Sequence, residues 1–160
     1  MNRISTLCFA ACIGWTAIPC MAQESVSFRP CEVSTLKGTY LLTISGTRPA
    51  PRVLPGLAGA PGAIETVTGV FLQIFDGKNG LFQTTPVTVK GALSGLFPDQ
   101  PGRGSYELDS DCTGTFTVHL PQLPAPLVNR MVVYDRGKSF RAVVTSPQAL
   151  MIQVEGQRID

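Results

Sequence analysis

A polar turn set between two alternating strands, Gly104–Val118, limits what this chain can become. Tyr106 and Leu108 face one way, Glu107 and Asp109 the other. Beyond the turn, Phe116, Val118 and Leu120 share one face, and Thr115, Thr117 and His119 share the opposite one. Such a hairpin predicts an antiparallel sheet with one buried side. The turn Asp109-Ser110-Asp111-Cys112-Thr113-Gly114 imitates the start of a calcium loop. Leu120 then stands where a bidentate glutamate should, so the aspartates read as turn formers and no metal is expected. Gly114 is read as a point where a neighbouring strand comes close.

The other segments repeat this chemistry. Leu36–Ser45 reads as a first strand, with Leu36, Tyr40, Leu42 and Ile44 in phase. Gly46–Gly62 holds Pro49, Pro51, Pro55 and Pro61 and reads as a long loop, either mobile or a flap over a cavity mouth. Thr66–Phe75 is apolar on both faces. Asp76–Gly80 is a hairpin turn, and Leu81–Val89 is a return strand in which Pro86 predicts an edge or a bulge. Ala92–Pro101 is a second loop and Pro121–Pro126 a connector. Leu127–Asp135, Ser139–Thr145 and Ala149–Glu155 supply the last strands, with turns at Arg136–Lys138 and Ser146–Gln148. No stretch after residue 22 has a helical period with caps. About eight short strands predict an all-β fold: an antiparallel, eight-stranded closed barrel, since closure removes exposed edges. A two-sheet sandwich is the alternative.

The N-terminus is of another kind. Arg3, the apolar run Ile4–Ile18 and the small residue Ala22 have the layout of a secretory signal peptide, with cleavage near Ala22. Residues 1–22 are therefore expected to be a leader, and 23–160 a single barrel domain exported to the periplasm or beyond. Cleavage removes Cys8, Cys12 and Cys20 and leaves Cys31 and Cys112. Two cysteines in an exported domain predict one disulfide, worth about 4–5 kcal/mol in the chain-entropy model; two separate buried thiols are the alternative. The net charge of +2 carries no basic run, so nucleic acid is not an expected partner. No second apolar segment is long enough to span a membrane.

Leu36-Lys37-Gly38-Thr39-Tyr40, Phe75-Asp76-Gly77-Lys78-Asn79-Gly80, Gly104-Ser105-Tyr106, Asp111-Cys112-Thr113-Gly114-Thr115 and Asp135-Arg136-Gly137-Lys138 occur in this order. Together they resemble a family of small exported bacterial proteins related to the allene oxide cyclase barrel, in the lipocalin-like (calycin) group. The resemblance covers most of the chain after the leader, and its most specific part is the Asp-Cys-Thr-Gly-Thr hairpin. It implies an eight-stranded barrel with a central cavity, and it speaks for fold more than for function. The cyclase branch uses one buried carboxylate in an apolar pocket. Glu107 and Glu155 are out of phase with their apolar neighbours and are expected at the surface, so no catalytic residue is carried over.

His119, the single histidine, stands on a threonine face without an evident nucleophile or co-ligand. No nucleophile elbow and no phosphate-cradling glycine loop is present, and no cofactor is expected. What remains is the barrel interior. Tyr40, Leu42, Phe71, Tyr106, Leu108, Phe116 and Phe140 are the candidate ligand-lining residues, against the alternative of an ordinary packed core. The expected function is an exported barrel holding a small hydrophobic molecule. A cyclase or isomerase of the allene oxide cyclase type, and a structural or surface-interaction domain without ligand, are the alternatives.

Overall fold

The computed structural model describes residues 29–50, 63–92, 95–97, 101–121 and 123–160. The expected leader, 1–22, and most of the proline-rich flap, 51–62, lie outside the described residues. The strands are β1 Gly38–Pro49, β2 Ile64–Phe75, β3 Gly80–Gly91, β4 Gly95–Phe97, β5 Gly102–Leu108, β6 Thr113–His119, β7 Leu127–Tyr134, β8 Ser139–Ser146 and β9 Met151–Arg158. Eight of them close into an antiparallel ring, β1-β2-β3-β5-β6-β7-β8-β9 and back to β1, with β4 a short addition to β3. The only helical turns among the described residues are 3-10 turns, at Val33–Leu36 and Asp135–Gly137.

Turn chemistry fixes the register. Asp76 Oδ1 accepts from the backbone N–H of Lys78 (2.7 Å), Asn79 (3.0 Å) and Gly80 (2.9 Å), which closes the β2–β3 hairpin. Asp111 Oδ1 accepts from the backbone N–H of Thr113 at 2.9 Å and from its hydroxyl at 2.8 Å. Both aspartates are turn formers, and these hydrogen bonds hold both carboxyls below the usual range. The left-handed residue of the β5–β6 turn is Cys112 (φ 67°) rather than a glycine. Gly114 serves packing instead, because a Cβ there would lie 2.3 Å from the Glu107 carbonyl oxygen.

The first strand runs further than expected, and the return strand β3 is irregular where expected. β1 continues past Gly46, and Thr47, Arg48 and Pro49 pair with Thr66, Glu65 and Ile64. Pro49 is tolerated because it is the last residue of its strand, where a missing donor breaks little of the ladder. In β3 the register jumps, with Phe71 opposite Val87 but Leu72 opposite Thr84, so the extra residues around Pro86 form the anticipated bulge.

The alternation read from the sequence is the alternation of burial. Tyr40, Leu42, Tyr106, Leu108, Phe116, Val118 and Phe140 point inward and are buried. β2 behaves differently, since its outer face leaves Val70 and Ile74 exposed. The end where β1 starts is sealed by the 3-10 turn Val33–Leu36. Leu36 is fully buried, the Tyr106 hydroxyl donates to the Val33 carbonyl at 3.0 Å, and Arg158 Nη2 donates to the Thr35 carbonyl at 2.8 Å. The Tyr40 hydroxyl donates to the Gly137 carbonyl and accepts from Arg158 at 3.0 Å. A disulfide joins Cys31 to Cys112 across 81 residues of sequence, with Cα atoms 5.0 Å apart, and fastens this seal to the β5–β6 turn.

Candidate ligand-binding site

The interior has two zones. Next to the seal, Tyr40, Phe75, Tyr106, Phe116 and Phe140 cluster with ring centroids 4.9–6.4 Å apart, edge to face in every pair but the tilted Tyr40–Phe140. Gly156 makes room for them, because a Cβ there would lie 2.2 Å from Phe140 Cε1. Four of the candidate lining residues, Tyr40, Tyr106, Phe116 and Phe140, belong to this cluster. Leu42 and Leu108 are buried with them, and Phe71 is a partly buried neighbour. This zone is filled by its own side chains.

Toward the opposite rim the buried residues turn polar. Glu65, Gln73, Gln83 and Asn129 are all buried, and each lies on the inward parity of its strand. Asn129 Nδ2 lies 3.4 Å from the carbonyl oxygens of Phe116 and Leu127. Glu65 Oε1 accepts from Arg48 Nε at 2.7 Å; its side chain is fully buried, while that of Arg48 keeps 20% exposure. By contrast Glu107 and Glu155 are solvent-facing as the alternation required, and Glu155 pairs with Arg141 at 3.2 Å on the surface.

Gln73 is the outlier. It is fully buried, yet neither its Nε2 nor its Oε1 has a hydrogen-bond partner. Buried amides are nearly always paired, and leaving one unpaired costs about 1–3 kcal/mol. The register places Gln73 opposite Tyr40 on one side and Gln83 on the other, and Gln83 opposite Gly102. With Arg158 opposite Tyr40, an inward row runs Arg158-Tyr40-Gln73-Gln83-Gly102. Strand tilt makes such a row climb around a barrel, so it starts at the sealed end on β9 and reaches the rim at the first residue of β5.

A cleft of about 660 Å³ lies where the row ends. It is lined by Gln83 and Gly102 from the inner face, by Pro101, Leu120 and Pro121 at the rim, and by Phe82, which is exposed on the outer face opposite Arg103. Arg103 and His119, cross-strand neighbours in the β5–β6 ladder, stand on its outer edge. The volume is within the usual range for small-molecule sites, roughly 300–1,000 Å³. Comparison with family models, curated proteins and solved structures found no match. Among the described residues no group of three or more His, Cys, Asp or Glu side chains could hold a metal, and no helix is long and apolar enough to cross a membrane.

The sequence pointed to the aromatic half of the interior. It missed Glu65 and Gln73, because β2 is apolar on both faces and offers no single parity, and with Gln73 it missed Gln83, its neighbour on β3. One signal was present: Phe75 and Leu81 flank the Asp76 turn and pair with each other, so Gln73 and Gln83, two residues further out, share their inward face.

Proposed function

We propose that this barrel binds a small, largely apolar molecule, admitted at the β3/β5/β6 rim and held above the aromatic cluster. The observation that carries the reading is the cleft of about 660 Å³ that the buried Gln83 helps to line. An apolar wall with a few convergent polar groups is the usual make-up of a ligand site. The disulfide supports an exported location after removal of residues 1–22, since such bonds persist in oxidising compartments. A closed eight-stranded ring is also what kinship with the allene oxide cyclase-like barrels requires.

N-phenyl-1-naphthylamine, a neutral apolar probe, tests the binding. Its fluorescence should rise on mixing and fall when Leu120→Trp narrows the cleft, with the circular-dichroism melt of the variant near that of the parent. No uptake by the parent protein would sink the reading. Glu65 gives the cyclase alternative its one foothold, a buried carboxylate on the inner face of β2. Its ion pair with Arg48 at 2.7 Å favours a structural part for it over an acid–base one.

A further inference from the structure

The unpaired amide of Gln73 carries more than an apolar cavity does. We infer that the barrel's ligand is a neutral molecule bearing a carbonyl beside an N–H, a lactam or a primary amide, recognised by Gln73 with Gln83 alongside it. This rests on the binding reading above and narrows it to one chemistry.

The inference starts from what the two atoms of Gln73 offer. Nε2 donates and Oε1 accepts, and both are buried without a partner. A group that satisfies both at once must itself accept and donate in one plane. A lactam or primary amide does so by forming a closed pair of hydrogen bonds. A lactone or ketone accepts only, and would leave Oε1 unpaired. A carboxylate has no proton to donate, and would bring a charge into a site where Gln73 supplies only a neutral donor. A site built to bond a particular group discriminates strongly against an analogue that lacks it, because its own buried polar atoms are then left unsatisfied.

The surroundings direct the ligand to this point. Gln83 is the register neighbour of Gln73 on the same inward face, so their Cβ atoms are roughly 4.5–5.5 Å apart. Gln83 also lines the cleft. On the other side Tyr40 is already committed, its hydroxyl bonded to Gly137 and Arg158. The other buried amide among the described residues, Asn129, faces the Phe116 and Leu127 carbonyls. The cleft reaches Gln83, and Gln73 lies one strand further in on the same inner face. The polar group of a ligand that passes Gln83 therefore meets Gln73 as the unsatisfied partner, while its apolar part stays against Pro101 and Leu120.

Caprolactam, caprolactone and N-methylcaprolactam are seven-membered rings that each carry a carbonyl, and only caprolactam also carries an N–H. They can be titrated into 15N-labelled protein and followed by the side-chain amide resonances of Gln73 and Gln83. Caprolactam should move the Gln73 resonances and bind at least tenfold more tightly than the other two. Gln73→Leu should abolish that preference, with the circular-dichroism melt of the variant no lower than that of the parent. Equal affinity for the three rings, or a preference that survives in Gln73→Leu, overturns the inference and leaves the binding reading standing. Failure of both the probe and the rings to bind removes the two together.

Discussion

Tyr106 shows how one side chain ties the seal to the pH response of the fold. Burial, with the Asp76 charge adding to it, pushes its hydroxyl up to about 12 from an ordinary 10.0. The fold holds the neutral form. Its contribution is complete below about pH 10 and is lost as the pH rises through about 12. Alkaline denaturation should therefore steepen across that window. Tyr106→Phe should flatten it while costing about 1 kcal/mol at neutral pH, the net worth of the bond to the Val33 carbonyl. A pH-stability curve for the two proteins checks both points, and an unchanged alkaline slope would refute the assignment. The Arg48–Glu65 pair is a second residue-scale case. Arg48→Met removes the counter-charge of a fully buried carboxylate and should cost about 3 kcal/mol, the low end of the range because the Arg48 side chain keeps 20% exposure. The double change Arg48→Met with Glu65→Met should recover most of that loss in urea denaturation. A double variant no more stable than the single one would show that the charge is not what matters.

At the scale of elements, most of the strands were legible and the polar end of the interior was not. In β5 and β6 one parity is apolar and the other polar, and in β1 and β8 only Leu41 and Val143 interrupt the polar parity, so the buried face follows from the sequence. β2 breaks this rule. Its outward set includes Val70, Leu72 and Ile74, whereas its inward set contains Glu65 and Gln73. Composition misleads there, and only the hairpin register sorts the faces. The reach of β1 to Pro49 was hidden for a related reason: prolines and glycines argue against a strand locally, while pairing with β2 overrides them. The Cys31–Cys112 bond was readable from the two cysteines left after the expected leader. Cys112→Ser should destabilise the domain by about 2–5 kcal/mol under oxidising conditions, and reductant should lower the parent's melting temperature by a similar amount. An unaltered melting temperature in the variant would mean the bond contributes nothing to the fold.

For the whole molecule, the division between a packed aromatic end and a polar, cleft-bearing end decides where a guest can sit. The ring cluster leaves no space beside the seal, so ligand occupancy and core stability belong to different halves. Substitutions among Phe75, Phe116 and Phe140 should therefore lower stability, by about 3–5 kcal/mol for each change to Ala, without setting ligand preference. Changes at the cleft should do the reverse. Calorimetry with N-phenyl-1-naphthylamine present and absent separates these effects.

The cross-link also has a consequence for motion. It lies at the same end as the ring cluster and the 3-10 turn Val33–Leu36, so the protein's stiffness is graded along the barrel axis. Amide protons of Tyr40, Tyr106 and Phe140 should exchange only when the whole domain opens. Those of β5 and β6 nearest Gly102 and His119 should exchange through smaller, local openings. A barrel graded in this way can breathe at its mouth to take up and release a guest while its base stays shut.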